Sequence, residues 1–214
     1  MILTDVDIDF TSRDIVVTDH LIFRHPTLAD APMMMEMTTD PDLLANAITR
    51  IDLSISGMRA MISRLNNPPG PEGTFFVLHF RKPPGDFFGV ASYAMRLGDR
   101  VPRISLWVRP RYRRHRAFAC VVPGLLDFAF LGQKLDAIQA DAFPNQRMTP
   151  TMAVKYGFSF VGYRREFCPG QGREMIMSVM ELSRDTWVNR IRHRFIRRSS
   201  MIHALPGRTE TAVR

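Results

Sequence analysis

A chain of 214 residues is long enough for one full-sized domain with an appendage, and too short for two large ones. Its 45% hydrophobic and 23% charged residues are ordinary for a globular protein, and no apolar run approaches the ~18 residues of a membrane span. The net charge of +8 excludes a uniformly basic body, because residues 183–214 alone carry +6: eight arginines stand there against Asp185 and Glu210.

The opening MILTDVDIDF has acids among its apolar residues and no basic n-region, so the cytoplasm is the expected location. Residues 1–19 alternate weakly and read as an extended arm. A short strand over 20–24 is broken by Pro26, and Thr27 or Asp30 is placed to cap a helix carrying Met33, Met34, Met35 and Met37. Asp40-Pro41 ends that helix. A second helix is expected over 56–65, where Met58, Met61, Ile62 and Leu65 recur at helical spacing. After the loop 66–73, apolar stretches at 74–80, 87–95 and 104–108 read as an antiparallel meander. A largely apolar helix over 117–131 follows, with Pro123-Gly124 predicting a kink or a late start. A strand over 135–143, a short helix over 149–156 closed by Gly157, and strands over 158–167 and 174–182 complete the body. This mixed order predicts an α+β fold with helices on a largely antiparallel sheet. Cys120 and Cys168 are too few and too far apart for a disulfide framework or a zinc site, so no metal is expected.

Between the third meander strand and the long helix lies RPRYRRHR, residues 109–116, with five arginines and a histidine. A helix start has unpaired N–H groups and the positive end of a dipole, which favour an anion. Arginines beside it add charge-assisted contacts to phosphate. Local chemistry alone leaves a solvated basic loop equally open.

The segment resembles the GNAT superfamily of acyltransferases, closest to its branch of ribosomal-protein-alanine N-acetyltransferase relatives. In that branch a strand leads into a P-x-Y-R-G-x-G-x-A type loop that opens the coenzyme-binding helix. Here Leu106-Trp107-Val108 precede Pro110-Arg111-Tyr112-Arg113-Arg114-His115-Arg116-Ala117-Phe118. Leu125-Leu126-Asp127-Phe128-Ala129-Phe130 is similar to the branch's helix end, and Asn145 and Thr149 resemble its N-x-x-S element. Tyr156-Gly157-Phe158 then resembles its L-G-F, with Val161-Gly162-Tyr163 following. The resemblance runs over residues 20–187. It implies a GNAT fold, a mixed and mostly antiparallel sheet flanked by helices. It also implies acetyl-CoA as the acyl donor, moving its acetyl group to a primary amine on a protein N-terminus or a small molecule. The implied division is an extension over 1–19, an acetyltransferase-like domain over 20–183, and a basic helix with a disordered tail over 184–214.

Carried over residue by residue, the resemblance makes Leu106, Trp107, Val108, Arg113, Arg114, His115, Arg116, Ala117, Phe118 and Asn145 the coenzyme-binding candidates. The strand residues would offer N–H groups to the thioester carbonyl. Thr149 is the candidate proton donor to the leaving thiolate, and Asn145 the group holding the pantetheine arm. Their alternatives are helix capping and a turn. The chain departs from the pattern at Arg116 and Phe118, where small residues are usual, at Ala153, where many relatives place an acidic tyrosine, and at Arg103, where a glutamate is common. His79 reads as a core histidine, and Asp99 and Arg100 as candidates for a substrate groove. In the tail, Trp187, Ile191 and Phe195 share one face of a basic helix, either docked on the domain or meeting an acidic surface such as RNA or anionic lipid. Residues beyond 199 are expected to be disordered, and the chain to be a monomer or a homodimer. Two other readings stand beside the enzyme: a coenzyme-binding sensor without turnover, and a module acting through its basic tail.

Overall fold

Apolar alternation at the N-terminus builds strands rather than a loose arm: β1 (Thr4–Asp9) and β2 (Asp14–Thr18) form a hairpin ahead of β3 (Leu21–Arg24). The computed structural model describes residues 3–10, 12, 14–46, 52, 54–65, 73–83, 85–95, 98–144 and 148–202. The methionine segment is not one regular helix. It is a chain of short pieces, with α1 (Ala31–Met34) set between 3-10 turns at Leu28–Asp30 and Met35–Thr39. Pro41, with no N–H to donate, takes the first position of α2 (Pro41–Ala45), and the Asp40 carboxylate caps it by accepting from the Asp42 N–H at 3.1 Å. Helix α3 (Ile55–Leu65) follows, then the meander β4 (Gly73–Phe80), β5 (Phe87–Ala94) and β6 (Arg103–Val108).

The long helix starts at Phe118, as α4 (Phe118–Asp127), and runs on as a π-helical turn over Phe128–Gly132. Then come β7 (Ala137–Ala142), α5 (Met148–Lys155), β8 (Ser159–Cys168) and β9 (Arg173–Ser183). Gly157 has φ of 89°, and the N–H groups of Gly157 and Phe158 return to the carbonyls of Val154 and Ala153. This is the left-handed stop that glycine provides at lowest cost.

Residues 186–194 form a π-helical turn (Thr186–Ile191) and a 3-10 turn (Arg192–Arg194), leading into β10 (Ile196–Ile202), which pairs in parallel with β1. Of the basic helix and disordered tail expected over 184–214, the described residues are helical over 184–194 in mixed geometry, and residues 199–202 belong to a strand. Residues 203–214 lie outside the described residues. The strands join in the order β10-β1-β2-β3-β4-β5-β6-β7-β9-β8, antiparallel except at β10/β1 and β6/β7.

Each face of the sheet has its own core. On one, α4 and the tail bury Phe23, Phe76, Phe88, Leu126, Phe128 and Trp187; on the other, α1 and α3 bury Met34, Met58, Ile62, Val90 and Trp107. The first core is pinned by Asp127, fully buried at the end of α4. It accepts from the Trp187 indole at 2.9 Å and from Arg192 through Nε at 2.8 Å and Nη2 at 2.7 Å. Asp127→Ala would leave Arg192 and the indole unpaired beneath the tail. Unfolding in urea should show a loss of about 3–5 kcal/mol, the range for breaking one side of a buried ion pair.

The second core is entered at Asp30, which takes both Arg24 nitrogens at 2.7 Å and the Thr27 N–H at 2.6 Å. Burial alone would raise its pKa, but Arg24 and Thr27 outweigh that and lower it from 3.8 to about 2. A depressed carboxylate pKa stabilises the fold at pH above the ordinary value, and that stabilisation fades as pH falls through the folded value. The stability gap between the wild type and Asp30→Asn should therefore be constant above pH ~5 and shrink on acidification to pH ~2.

Candidate functional site

Parallel β6 and β7 pair only at Arg103 with Gln139 and Ile104 with Ala140, and then part. Strand β6 meanwhile stays paired with β5 as far as Val108, an approach that needs Gly89: a Cβ there would lie 2.2 Å from the Trp107 carbonyl oxygen. Gln139 donates its N–H to the Pro102 carbonyl, and Arg109 donates to that of Phe88. By strand alternation, even-numbered residues of β6 turn their backbone groups toward β7 and odd-numbered ones toward β5. Leu106 and Val108 thus present their backbone N–H and C=O groups to the gap between the strands. Trp107 does not. Its backbone faces β5, and its side chain packs in the α1/α3 core with Nε1 donating to Asp40 at 2.5 Å.

The arginine turn begins at the open end of this gap, and its charges divide by direction. Arg109 donates to the Phe87 carbonyl at 3.0 Å and pairs with Glu36. Arg113 donates from Nε to the Val108 carbonyl at 3.3 Å and pairs with the buried Asp40 and, at 3.0 Å, with Asp42. These two arginines fasten the turn to the segment holding α1 and α2. Tyr112 stacks on Phe88 and donates its hydroxyl to Asp86 at 3.1 Å. Arg114 is exposed and makes no ion pair among the described residues. His115 and Arg116 turn to the opposite side, toward the β4–β5 connection.

The first turn of α4 is partly self-satisfied. The Ala117 N–H donates to His115 Nδ1 at 3.1 Å, and those of Phe118 and Ala119 go to the carbonyls of His115 and Arg116. Ala117 is fully buried, and Phe118 leans on the core. Among the described residues, the N–H groups of Arg114 and Arg116 have no backbone partner. Asn145 lies outside the described residues, as does the side chain of Thr149, whose backbone is in the first turn of α5. Ala153 is buried on the same helix. His79 is a structural residue: Nδ1 bonds the Gly85 carbonyl at 3.0 Å, which leaves Nε2 to accept from Arg24 at 3.1 Å.

A cluster that sequence spacing does not reveal closes the paired end of the gap. Arg103 bonds Asp99 at 2.8 Å and Asp141 and Glu166 at 3.2 Å, gathering carboxylates from three segments. Arg164 joins from β8, 3.5 Å from Asp141 and bonded to Gln139 at 3.0 Å. Burial alone would lower the Arg103 pKa, but these carboxylates outweigh it and raise the pKa above its ordinary value. The position that carries a glutamate in many relatives thus carries a cation that collects acids. Of the groove candidates, Asp99 belongs to this cluster, while Arg100 is exposed and lies outside it.

The model of the family described as "Acetyltransferase (GNAT) domain" matches residues 20–159, more than half of the chain. The chain belongs to the GNAT acetyltransferase family. Its fold is similar to that of a spermidine N-acetyltransferase from Vibrio cholerae solved with CoA and spermine. The TM-score is 0.68 at 13% identity, over 79% of this chain and 98% of that one. A GNAT-family acetyltransferase from Bacillus anthracis gives a TM-score of 0.64 at 16% identity, over 78% and 96% of the two chains. No curated protein matches. Outside the stretch that the family model matches lie β1 and β2 before it, and β9, β10 and all but the first residue of β8 after it.

The contact between Trp107 and Asp40 joins the strand of the gap to the cap of α2. Trp107→Phe keeps an aromatic ring in the α1/α3 core but leaves the buried carboxylate short of one donor. Chemical denaturation should show it about 1–3 kcal/mol less stable than the wild type, the cost of an unsatisfied buried group.

Proposed function

We propose that this GNAT protein is an acetyl-CoA-dependent N-acetyltransferase acting on a primary amine. The observation that carries the reading is the parting of β6 from β7 directly beside the arginine turn. The gap exposes a strand edge to hold an extended acyl-pantetheine arm. In this reading the N–H groups of Arg114 and Arg116, which have no backbone partner among the described residues, and the exposed Arg114 guanidinium would take the diphosphate. Acetyl transfer requires the amine lone pair to attack the thioester carbonyl while the C–S bond breaks; the sulfur takes up a proton, and the one the nitrogen loses restores the donor. In this reading the N–H of Leu106 or Val108 polarises the carbonyl, Thr149 supplies the proton and Asn145 steadies the arm. Arg113 acts through the fold, holding the turn against Asp40 and Asp42. The acceptor amine in this reading belongs to a protein N-terminus or a small molecule.

A second reading, a coenzyme-binding sensor without turnover, is favoured by Ala153 in the acid's usual place and by the bonded N–H groups of Ala117 and Phe118. Calorimetry with acetyl-CoA tests what the two readings share, and both fail if no heat of binding is seen at high micromolar coenzyme. Arg114→Ala should cost about 1–3 kcal/mol of affinity with folding stability unchanged. Arg113→Ala should lower affinity and stability together. Thiol release across an amine panel then separates enzyme from sensor.

A further inference from the structure

A cleft of about 360 Å³ opens on the side of the arginine turn away from the β6–β7 gap. It lies between the β2–β3 turn, the β4–β5 connection and residues 112–116, so β5 and β6 separate it from the gap. Its carboxylates are already engaged. Asp19 pairs with Arg197 at 3.0 Å, and Asp86 accepts from the Tyr112 hydroxyl at 3.1 Å with Arg111 at 3.7 Å. Its cations are not engaged: among the described residues, Lys82 and Arg116 make no ion pair.

His115 adds a directed donor. Its Nδ1 accepts from the Ala117 N–H, which fixes the proton on Nε2. The ring also stands edge-on to Phe80, which meets Tyr112 in the same way, so the cleft has apolar walls under its charged rim. Burial, and after it the charge of Arg116, lowers the His20 pKa.

Two unpaired cations call for two negative charges. A phosphate monoester carries about −1.5 to −2 at neutral pH and offers three acceptor oxygens, whereas a carboxylate or a diester carries one charge. We infer that this cleft is a binding site for a phosphate monoester, gripped by Lys82, Arg116 and His115 Nε2–H, with the ester group lying against Phe80 and Tyr112. The site stands whether or not the chain turns over acetyl-CoA.

The probe is phenyl phosphate, with phenyl sulfate as a singly charged control, followed by NMR of the histidine ring protons in the full chain. Phenyl phosphate should shift the His20 and His115 signals saturably and raise the His20 pKa, with phenyl sulfate much weaker. Lys82→Ala and Arg116→Ala should each weaken binding about tenfold or more, as lost charge-assisted bonds would. Arg194→Ala, an exposed tail arginine outside the cleft, should leave it unchanged. Displacement then identifies the natural source. If coenzyme A displaces phenyl phosphate and dephospho-coenzyme A does not, the site holds the coenzyme's own ribose phosphate. If neither displaces it, the site serves a separate phosphorylated metabolite, as expected; displacement by coenzyme A would overturn the proposal of a site apart from the coenzyme. The absence of a saturable shift at tens of millimolar phenyl phosphate would overturn it, as would equal affinity in the Lys82→Ala/Arg116→Ala double variant.

Discussion

The site depends on one buried carboxylate. Asp40, only 4% exposed, caps α2, accepts from the Trp107 indole on β6 and pairs with Arg113 in the turn. A carboxylate so enclosed is tolerated only when its oxygens are engaged. Three elements must therefore arrive together: the helices on one face, the strand that borders the gap, and the turn that opens α4. Any displacement of α2 would strand the charge. The position of the turn is thus set from the helical side of the sheet as well as by the strand that feeds it.

The order of elements was legible because each has a local signature. The meander shows as alternating apolar runs, the stop of α5 as Gly157, and the turn as charge between a strand and a helix. What escaped is pairing at long range. Arg113 and Asp40 are 73 positions apart, and Trp187 and Asp127 are 60 apart. No spacing rule links such residues; only the closed sheet does. The same reasoning explains β10. Residues 196–202 carry two arginines and two serines and read as tail, yet β1 offers an unpaired edge and the buried Phe195 anchors the approach. The broken methionine helix has a nearer cause, because Pro32 and Pro41 start helices readily but interrupt those already running.

The basic tail changes meaning once its partners are visible. As composition, its arginines looked available to an acidic surface. In the fold, Arg192 is spent on the buried Asp127, and Arg197 on Asp5 and Asp19. Two of these arginines fasten the C-terminal segment to the end of α4, to β1 and to the β2–β3 turn. The Arg192–Asp127 pair thus secures the far end of the helix that the arginine turn opens.

The arginine turn follows the same logic at shorter range. Five arginines in eight residues would repel one another unless their charges were absorbed, and three are: Arg109 by Glu36, Arg113 by Asp40 and Asp42, and Arg111 more loosely by Asp86. What remains is Arg114, out in solvent, and Arg116, on the other side with Lys82. A density of charge that reads as one anion site thus resolves into two fixed struts, one loosely paired arginine, one exposed guanidinium and one at a separate cleft. Close approach of a diphosphate to the backbone, normally given by small residues, is restricted at Ala117 and Phe118 because their N–H groups are already bonded within the turn. In the proposed coenzyme reading, this leaves the N–H groups of Arg114 and Arg116 and the Arg114 side chain as the groups to meet the diphosphate. The turn is specialised by which of its cations it leaves unpaired, more than by how many it has.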